Sequence, residues 1–223
     1  MTDATVPGTI AALAREVGLS RDDILVEMDE RAAREGFPTV GPEVGGWLTL
    51  LTRLVGARRV FEFGSGFGYS AYWFARGLPE NGEVILTEVD ADELAGARRY
   101  FRRAGMDGKA RFEHGDAIEI VDGYDGPFDV VLVDNEKDRY VEALEAVEGA
   151  LRRGSLVLAD NAVTAGEYVD AGDVLALARG DDQPGATTAS AGVARYLRHV
   201  SGREDFETAL LPLGEGVAVS VRQ

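Results

Sequence analysis

The chain has 223 residues, a length that suits one α/β domain, and its formal net charge of −16 is dispersed rather than gathered in a tail. That charge disfavours loose binding to nucleic acid or anionic lipid. Cysteine is absent, which excludes disulfides, thiol catalysis and cysteine-ligated metals. A hydrophobic content of 45% suffices for a full core. No window approaches the roughly 18 continuous apolar residues of a membrane span, and the N-terminus lacks a basic-then-apolar signal pattern. A cytoplasmic protein is expected, with no membrane partner. Lysine is scarce, with only Lys109 and Lys137 among the 23 basic residues, and this with the dispersed acid resembles a surface adapted to high salt. At molar salt the screening length falls to about 3 Å, so net charge would no longer argue against nucleic acid.

Residues 9–18 and 20–36 have helical spacing, the second with Ser20 as N-cap and acids in its first turn. Residues 41–56 read as a third helix closed by Gly56, and the three make an N-terminal section over 1–56. From 57 to 223 a core begins in which short apolar strands alternate with helices. Strand-like runs are "RRVFEF", "GEVILTEV", "KARFEH", "FDVVLVD" and "GSLVLAD", with helices at 68–78, 91–104, 117–121 and 138–152. This alternation predicts a doubly wound α/β fold, Rossmann-like, with a mostly parallel sheet covered by helices on both faces. Residues 161–174 and 178–190 read as loop, followed by a helix over 188–200. "FETALLPL" and "EGVAVSVR" then form an antiparallel C-terminal hairpin at the sheet edge, bringing the strands to seven. Without repeats or a linker, residues 1–223 form a single domain.

The stretch "EFGSGFGYS" lies between the first core strand and the next helix, with Gly64, Gly66 and Gly68 spaced G-x-G-x-G. Glycines there let backbone approach a ligand, and the helix behind them offers free N–H groups. The dinucleotide fingerprint G-x-G-x-x-G is not met. Glu88 ends the second strand, twenty residues after Gly68, where a doubly wound sheet places a carboxylate on a ribose. Asp90 reads as the start of the following helix. Asp116 ends the third strand at the same edge, near where an adenine would lie. Because Glu62 precedes the glycines, a pyrophosphate is disfavoured and an adenosine ligand carrying a cationic amino group fits better.

The pattern E-x-G-x-G-x-G with an acid at the second strand end resembles class I S-adenosyl-L-methionine (AdoMet) methyltransferases. The segments "PTVGPEVGGWL", "RRVFEFGSGFGYSAYWFA", "VDNEKDRY", "VLADNAVTAG" and "LLPLGEGVAVSVR", in this order over residues 38–223, resemble the metal-dependent O-methyltransferases of catechol and caffeoyl-CoA type. The resemblance implies AdoMet as cofactor. It also implies that Ser70 and the backbone near Val40 and Gly64 bind its methionine end, Glu88 its ribose, and Asp116 or Ala117 its adenine, with Glu62, Gly66, Gly68 and Asp134 completing the cofactor-binding set. It further implies a homodimer.

Asp134 closes the fourth strand, while Asp160 and Asn161 close the fifth, so all three stand at one edge of a parallel sheet. Two carboxylates and an amide oxygen are hard ligands suited to Mg²⁺, or to Mn²⁺ or Ca²⁺. The motif places on Lys137 the lysine that acts beside the acceptor hydroxyl, together with Asp134. The implied reaction passes a methyl group to a hydroxyl of a small, catechol-like acceptor. A tRNA hydroxyuridine substrate, an AdoMet-binding protein without catalysis, and a nicotinamide enzyme are the competing readings. Related sequences carry D-A-D-K where this chain has "DNEK", or a tryptophan where it has Glu136, and a proline where it has Ala165. Phe37, Trp47 and Tyr168 are candidates for the missing aromatic wall. His114 and His199 fall in no motif and are assigned to structure.

Overall fold

The computed structural model describes residues 8–223; the reading of the N-terminus as free of a signal pattern rests partly on residues 1–7, which lie outside them. Seven strands, β1 (Arg59–Phe63), β2 (Glu83–Glu88), β3 (Ala110–His114), β4 (Phe128–Val133), β5 (Leu151–Ala159), β6 (Phe206–Leu211) and β7 (Val217–Arg222), pair in the order β3-β2-β1-β4-β5-β7-β6. The first five run parallel; β7 is antiparallel to both β5 and β6. This is the doubly wound, mostly parallel sheet with a reversed C-terminal pair that the alternation predicts. No helix among the described residues is long and apolar enough to cross a membrane.

The apolar runs are continuous because both sheet faces are covered. Successive side chains point to opposite faces, so one strand serves two cores. Val60, Leu86 and Leu132 face one side, where they meet α2 (Asp23–Glu35), α3 (Gly41–Leu54), α4 (Tyr69–Gly77) and α5 (Ala91–Arg103). Phe61, Phe63, Val131 and Val133 face the other, against α6 (Ala117–Val121), α7 (Tyr140–Glu148) and α9 (Thr188–Ser201). Each fully buried side chain of this size contributes roughly 1.5–3 kcal/mol. On the first face α3 and α4 approach closely: a Cβ on Gly45 would lie 2.2 Å from Trp73 Nε1.

Several local expectations shift. The cap of α2 is Asp22, whose Oδ1 accepts from Leu25 N at 3.0 Å, rather than Ser20. A carboxylate there satisfies a free amide and also meets the positive end of the helix dipole. The region read as loop over 161–174 contains the start of α8 (Ala171–Arg179), capped by Asp170. Its weak apolar pattern buries only Val174, which explains why the sequence looked structureless. The helix expected at 138–152 is shorter, since Lys137–Arg139 form a 3-10 turn and β5 already begins at Leu151. Asp129 draws that early start toward the sheet by accepting from Arg152 Nη2 at 2.6 Å.

Strand order reverses between β1 and β4, so the chain leaves these neighbours in opposite directions and opens a crevice at their C-terminal ends. The turn after β1 is pressed against the end of β4: a Cβ on Gly64, at φ 82°, would lie 2.8 Å from the Asp134 carbonyl oxygen. Below this turn Glu62 is fully buried within β1, its Oε1 accepting from Ser70 Oγ and its Oε2 without a partner. Burial, reinforced by Asp134 and Glu88, pushes its carboxyl up from 4.5 to about 8.

A raised folded-state value means that the folded chain holds a proton the unfolded chain has released. Stability from this group is full below 4.5 and is lost as pH climbs toward 8. Glu62→Gln keeps the bond to Ser70 and removes the titration. Its melting temperature should match the parent near pH 5 and exceed it at pH 8 by about 5–10 °C, taking a few kcal/mol at roughly 2–4 °C each. Parallel thermal melts of the ligand-free proteins that show no widening gap would refute this account of Glu62.

Candidate functional site

The crevice holds a cavity of about 780 Å³, walled by the turn after β1, the ends of β2, β4 and β5, the segment before α3 and the Gly214–Gly216 hairpin turn. A smaller cavity of about 350 Å³ adjoins it along Thr87–Val89, Gly115–Ala117 and Arg139. The two share Gly64, Glu88, Asp134, Asn135 and Glu136, so they form one trough along the sheet edge.

Gly64, Gly66, Ser70, Val40 and Glu88 all line the larger cavity. Gly66 adopts φ 50°, and its N–H donates to Glu88 Oε2 at 2.7 Å. Glu88 thereby joins the glycine turn to the end of β2, while its Oε1 accepts from Asp90 N at 2.9 Å. Asp116 and Ala117 line the smaller cavity with Glu88. Asp116 caps α6 through Ile118 N at 2.9 Å and pairs with Arg139 at 2.8 Å. Burial alone would raise Asp116; the bonds from Arg139 and Ile118 hold it below the usual carboxylate range. Glu62 and Gly68 are not on the walls. Glu62 sits beneath the turn, and Gly68 serves helix packing, since a Cβ there would be 2.9 Å from that of Ala97.

Asp134, Lys137, Asp160 and Asn161 line the same cavity, beside the Gly64 turn. Lys137 Nζ pairs with Asp134 Oδ1 at 2.8 Å and lies 5.1 Å from the centre of the Tyr140 ring. Tyr140 O–H donates to the Asp160 carbonyl at 3.0 Å, so one buried ring supports both the lysine and the end of β5. Asp160 is 5% exposed, and its Oδ1 has no partner. Burial raises both carboxyls; Lys137 opposes this at Asp134, and the charge of Asp134 adds to it at Asp160. Asn161 stands at φ 53°, a left-handed conformation that asparagine tolerates. Its Nδ2 donates to Glu215, leaving Oδ1 as the atom free for a cation.

These residues fit a hard divalent cation. An orphaned, buried carboxylate oxygen costs about 1–3 kcal/mol or more unless something pairs with it. The donors are oxygens, as Mg²⁺ requires. Among the described residues no three His, Cys, Asp or Glu side chains cluster as a metal set; the third oxygen here belongs to an amide.

Sequence reasoning passed over several residues in or behind the walls. Glu215 bonds to Asn161 and faces the cavity from a hairpin turn whose Gly216, at φ 84°, approaches Val163. The Gly-Glu-Gly run was its only signal. Tyr140 and Arg139 looked like the start of a helix but hold Lys137 and Asp116. Of the three aromatic candidates, Phe37 and Tyr168 line the large cavity and Trp47 does not. Neither histidine lines either cavity.

The family model described as O-methyltransferase matches residues 16–223. A catechol O-methyltransferase of Niastella koreensis is 36% identical over 155 residues, covering 67% of this chain and 70% of that protein. A putative O-methyltransferase of Mycobacterium tuberculosis is 31% identical over 210 residues, covering 93% and 88%. Among solved structures, the O-methyltransferase TomG of Streptomyces achromogenes, in complex with SAM, shares the fold with a TM-score of 0.84 at 24% identity, covering 100% of both chains. An O-methyltransferase of Bacillus cereus in complex with SAH does so with a TM-score of 0.82 at 23% identity, covering 96% and 97%. With its family model spanning nearly the whole chain, this protein belongs to the O-methyltransferase family.

Proposed function

We propose that this chain transfers the methyl group of AdoMet to one hydroxyl of a small catechol-like acceptor, with a divalent cation held by Asp134, Asp160 and Asn161. The observation that carries the reading is the convergence of those three oxygens with Lys137 on one wall of the 780 Å³ cavity, Asp160 Oδ1 being buried and unpaired. The catechol O-methyltransferase relative supports the acceptor class, and the SAM and SAH complexes of the structural neighbours support the cofactor.

The cofactor takes the side of the trough formed by Gly64, Gly66, Ser70 and Glu88, with its adenine toward Asp116 and Ala117. Asp134 and Lys137, which line the same cavity, would lie beside the cofactor's reacting end. A phenolic hydroxyl has a pKa near 10 and attacks poorly at neutral pH. A bound divalent cation supplies the charge that lowers this value. Lys137 takes the acceptor proton or holds the resulting oxyanion by charge. Asp134 orients Lys137 through the 2.8 Å pair, and Tyr140 restrains the ammonium from beneath. The displacement itself needs alignment more than functional-group chemistry, and a fixed oxygen near the sulfonium methyl provides it.

Methyl transfer from radiolabelled AdoMet is to be measured on catechol and on unmodified tRNA, with and without EDTA. Catechol should be labelled and tRNA should not. EDTA should abolish transfer and Mg²⁺ or Mn²⁺ restore it; transfer that EDTA leaves untouched would refute the metal. Lys137→Ala should bind S-adenosylhomocysteine with near-parent affinity in calorimetry yet lose about 10²–10⁴-fold in kcat. Undiminished turnover in that variant would remove Lys137 from the chemistry.

A further inference from the structure

Among the described residues, Glu136 is the exposed acid of the trough whose charge is not engaged; buried Asp160, with its unpaired Oδ1, is assigned to the proposed cation. Asp134 pairs with Lys137, Glu88 with two backbone amides, Glu215 with Asn161 and Asp116 with Arg139. The Glu136 carboxylate has no hydrogen-bond or ion-pair partner among the described residues. It is exposed, directly precedes Lys137, and lines both cavities where they meet.

We propose that Glu136 is a specificity-determining residue of the acceptor site, favouring acceptors with a cationic substituent over those with a carboxylate; this rests on the catechol-like reading above. Among the described residues, the large cavity is lined by the acids Glu88, Asp134, Glu136, Asp160 and Glu215 against Lys137 as the single base. A divalent cation and the sulfonium cofactor offset much of this acid without leaving an excess of positive charge for an anionic acceptor to meet. The pairs and amide bonds named above hold the other acids except Asp160, which the proposed cation would take, so the free Glu136 carboxylate is available to an ammonium group. Beyond it the wall turns apolar and aromatic at Phe37, Ala165, Tyr168 and Ala189. Such a wall cannot satisfy a carboxylate, whereas its rings attract a cation by their faces. Water reaches Tyr168, 74% exposed, so the discrimination is moderated by solvent.

The test compares three acceptors that differ in side-chain charge: dopamine, 4-methylcatechol and 3,4-dihydroxybenzoate. In the parent enzyme, kcat/KM for the amine should exceed that for the carboxylate by about tenfold or more, equivalent to about 1.4 kcal/mol. Glu136→Gln should shrink that ratio severalfold, and Glu136→Lys should invert it. Binding of the same compounds to the S-adenosylhomocysteine complex is followed by calorimetry, so the charge ratio is read even without turnover. A ratio near one in the parent, or one left unchanged by both variants, overturns the proposal. So does a loss of S-adenosylhomocysteine affinity in Glu136→Gln that matches the loss of discrimination, because Glu136 would then be a cofactor contact. If none of the three compounds is methylated while the calorimetric ratio holds, the catechol-acceptor reading fails and the charge filter stands.

Discussion

Parallel pairing of Val133 with Ala159 brings Asp134 and Asp160 out of adjacent strands side by side, at the roughly 4.8 Å spacing of a sheet. Two carboxyls so close in a water-poor crevice cannot both ionise cheaply, and the surrounding structure answers that constraint. Lys137 lies one turn beyond Asp134 and pairs with it. Tyr140 fixes the lysine from below and ties back to the Asp160 backbone. Helix α9 reaches the lysine turn because residue 192 is glycine; a Cβ there would lie 2.4 Å from the Lys137 carbonyl oxygen. What stays unanswered is the free Asp160 oxygen, the atom that the proposed cation would meet.

The same edge of the sheet does two further things. Reversal of strand order at β1 and β4 opens the crevice, and Gly64 lets the first turn lie directly against the Asp134 backbone. The residues proposed for the cofactor and those proposed for the acceptor therefore adjoin along one strip of the cavity. On the proposed function, methyl donor and acceptor oxygen would be held by neighbouring strand ends of one sheet, an arrangement suited to a reaction governed by alignment. Glu136 stands on that strip, which links the identity of one loop residue to the charge of the molecule admitted.

Much of this was legible in the sequence. Strand and helix alternation, the glycine turn, the acid at the end of β2 and the acids at the ends of β4 and β5 are local signals, each set by residues adjacent in the chain. Expectations weakened where the signal was not periodic. Helix α8 buries a single valine, and the cap of α2 depended on which of two nearby polar residues could reach Leu25 N. Glu62 could be read as a ligand from its place in the motif; its burial under the glycine turn follows from inward pleating of β1, which a motif does not display.

The sequence by itself determined the mostly parallel sheet, its antiparallel C-terminal pair and the identity of the chemistry-bearing strand ends, because those follow from apolar periodicity and from short turns. Only the tertiary structure decided which polar side chains meet. Glu215 joins Asn161 across 54 residues, Arg139 joins Asp116 across 23, and Tyr140 reaches Asp160 across 20. Pairings at such separations come from strand register and helix packing, through which distant residues acquire a common wall, and no local pattern encodes them.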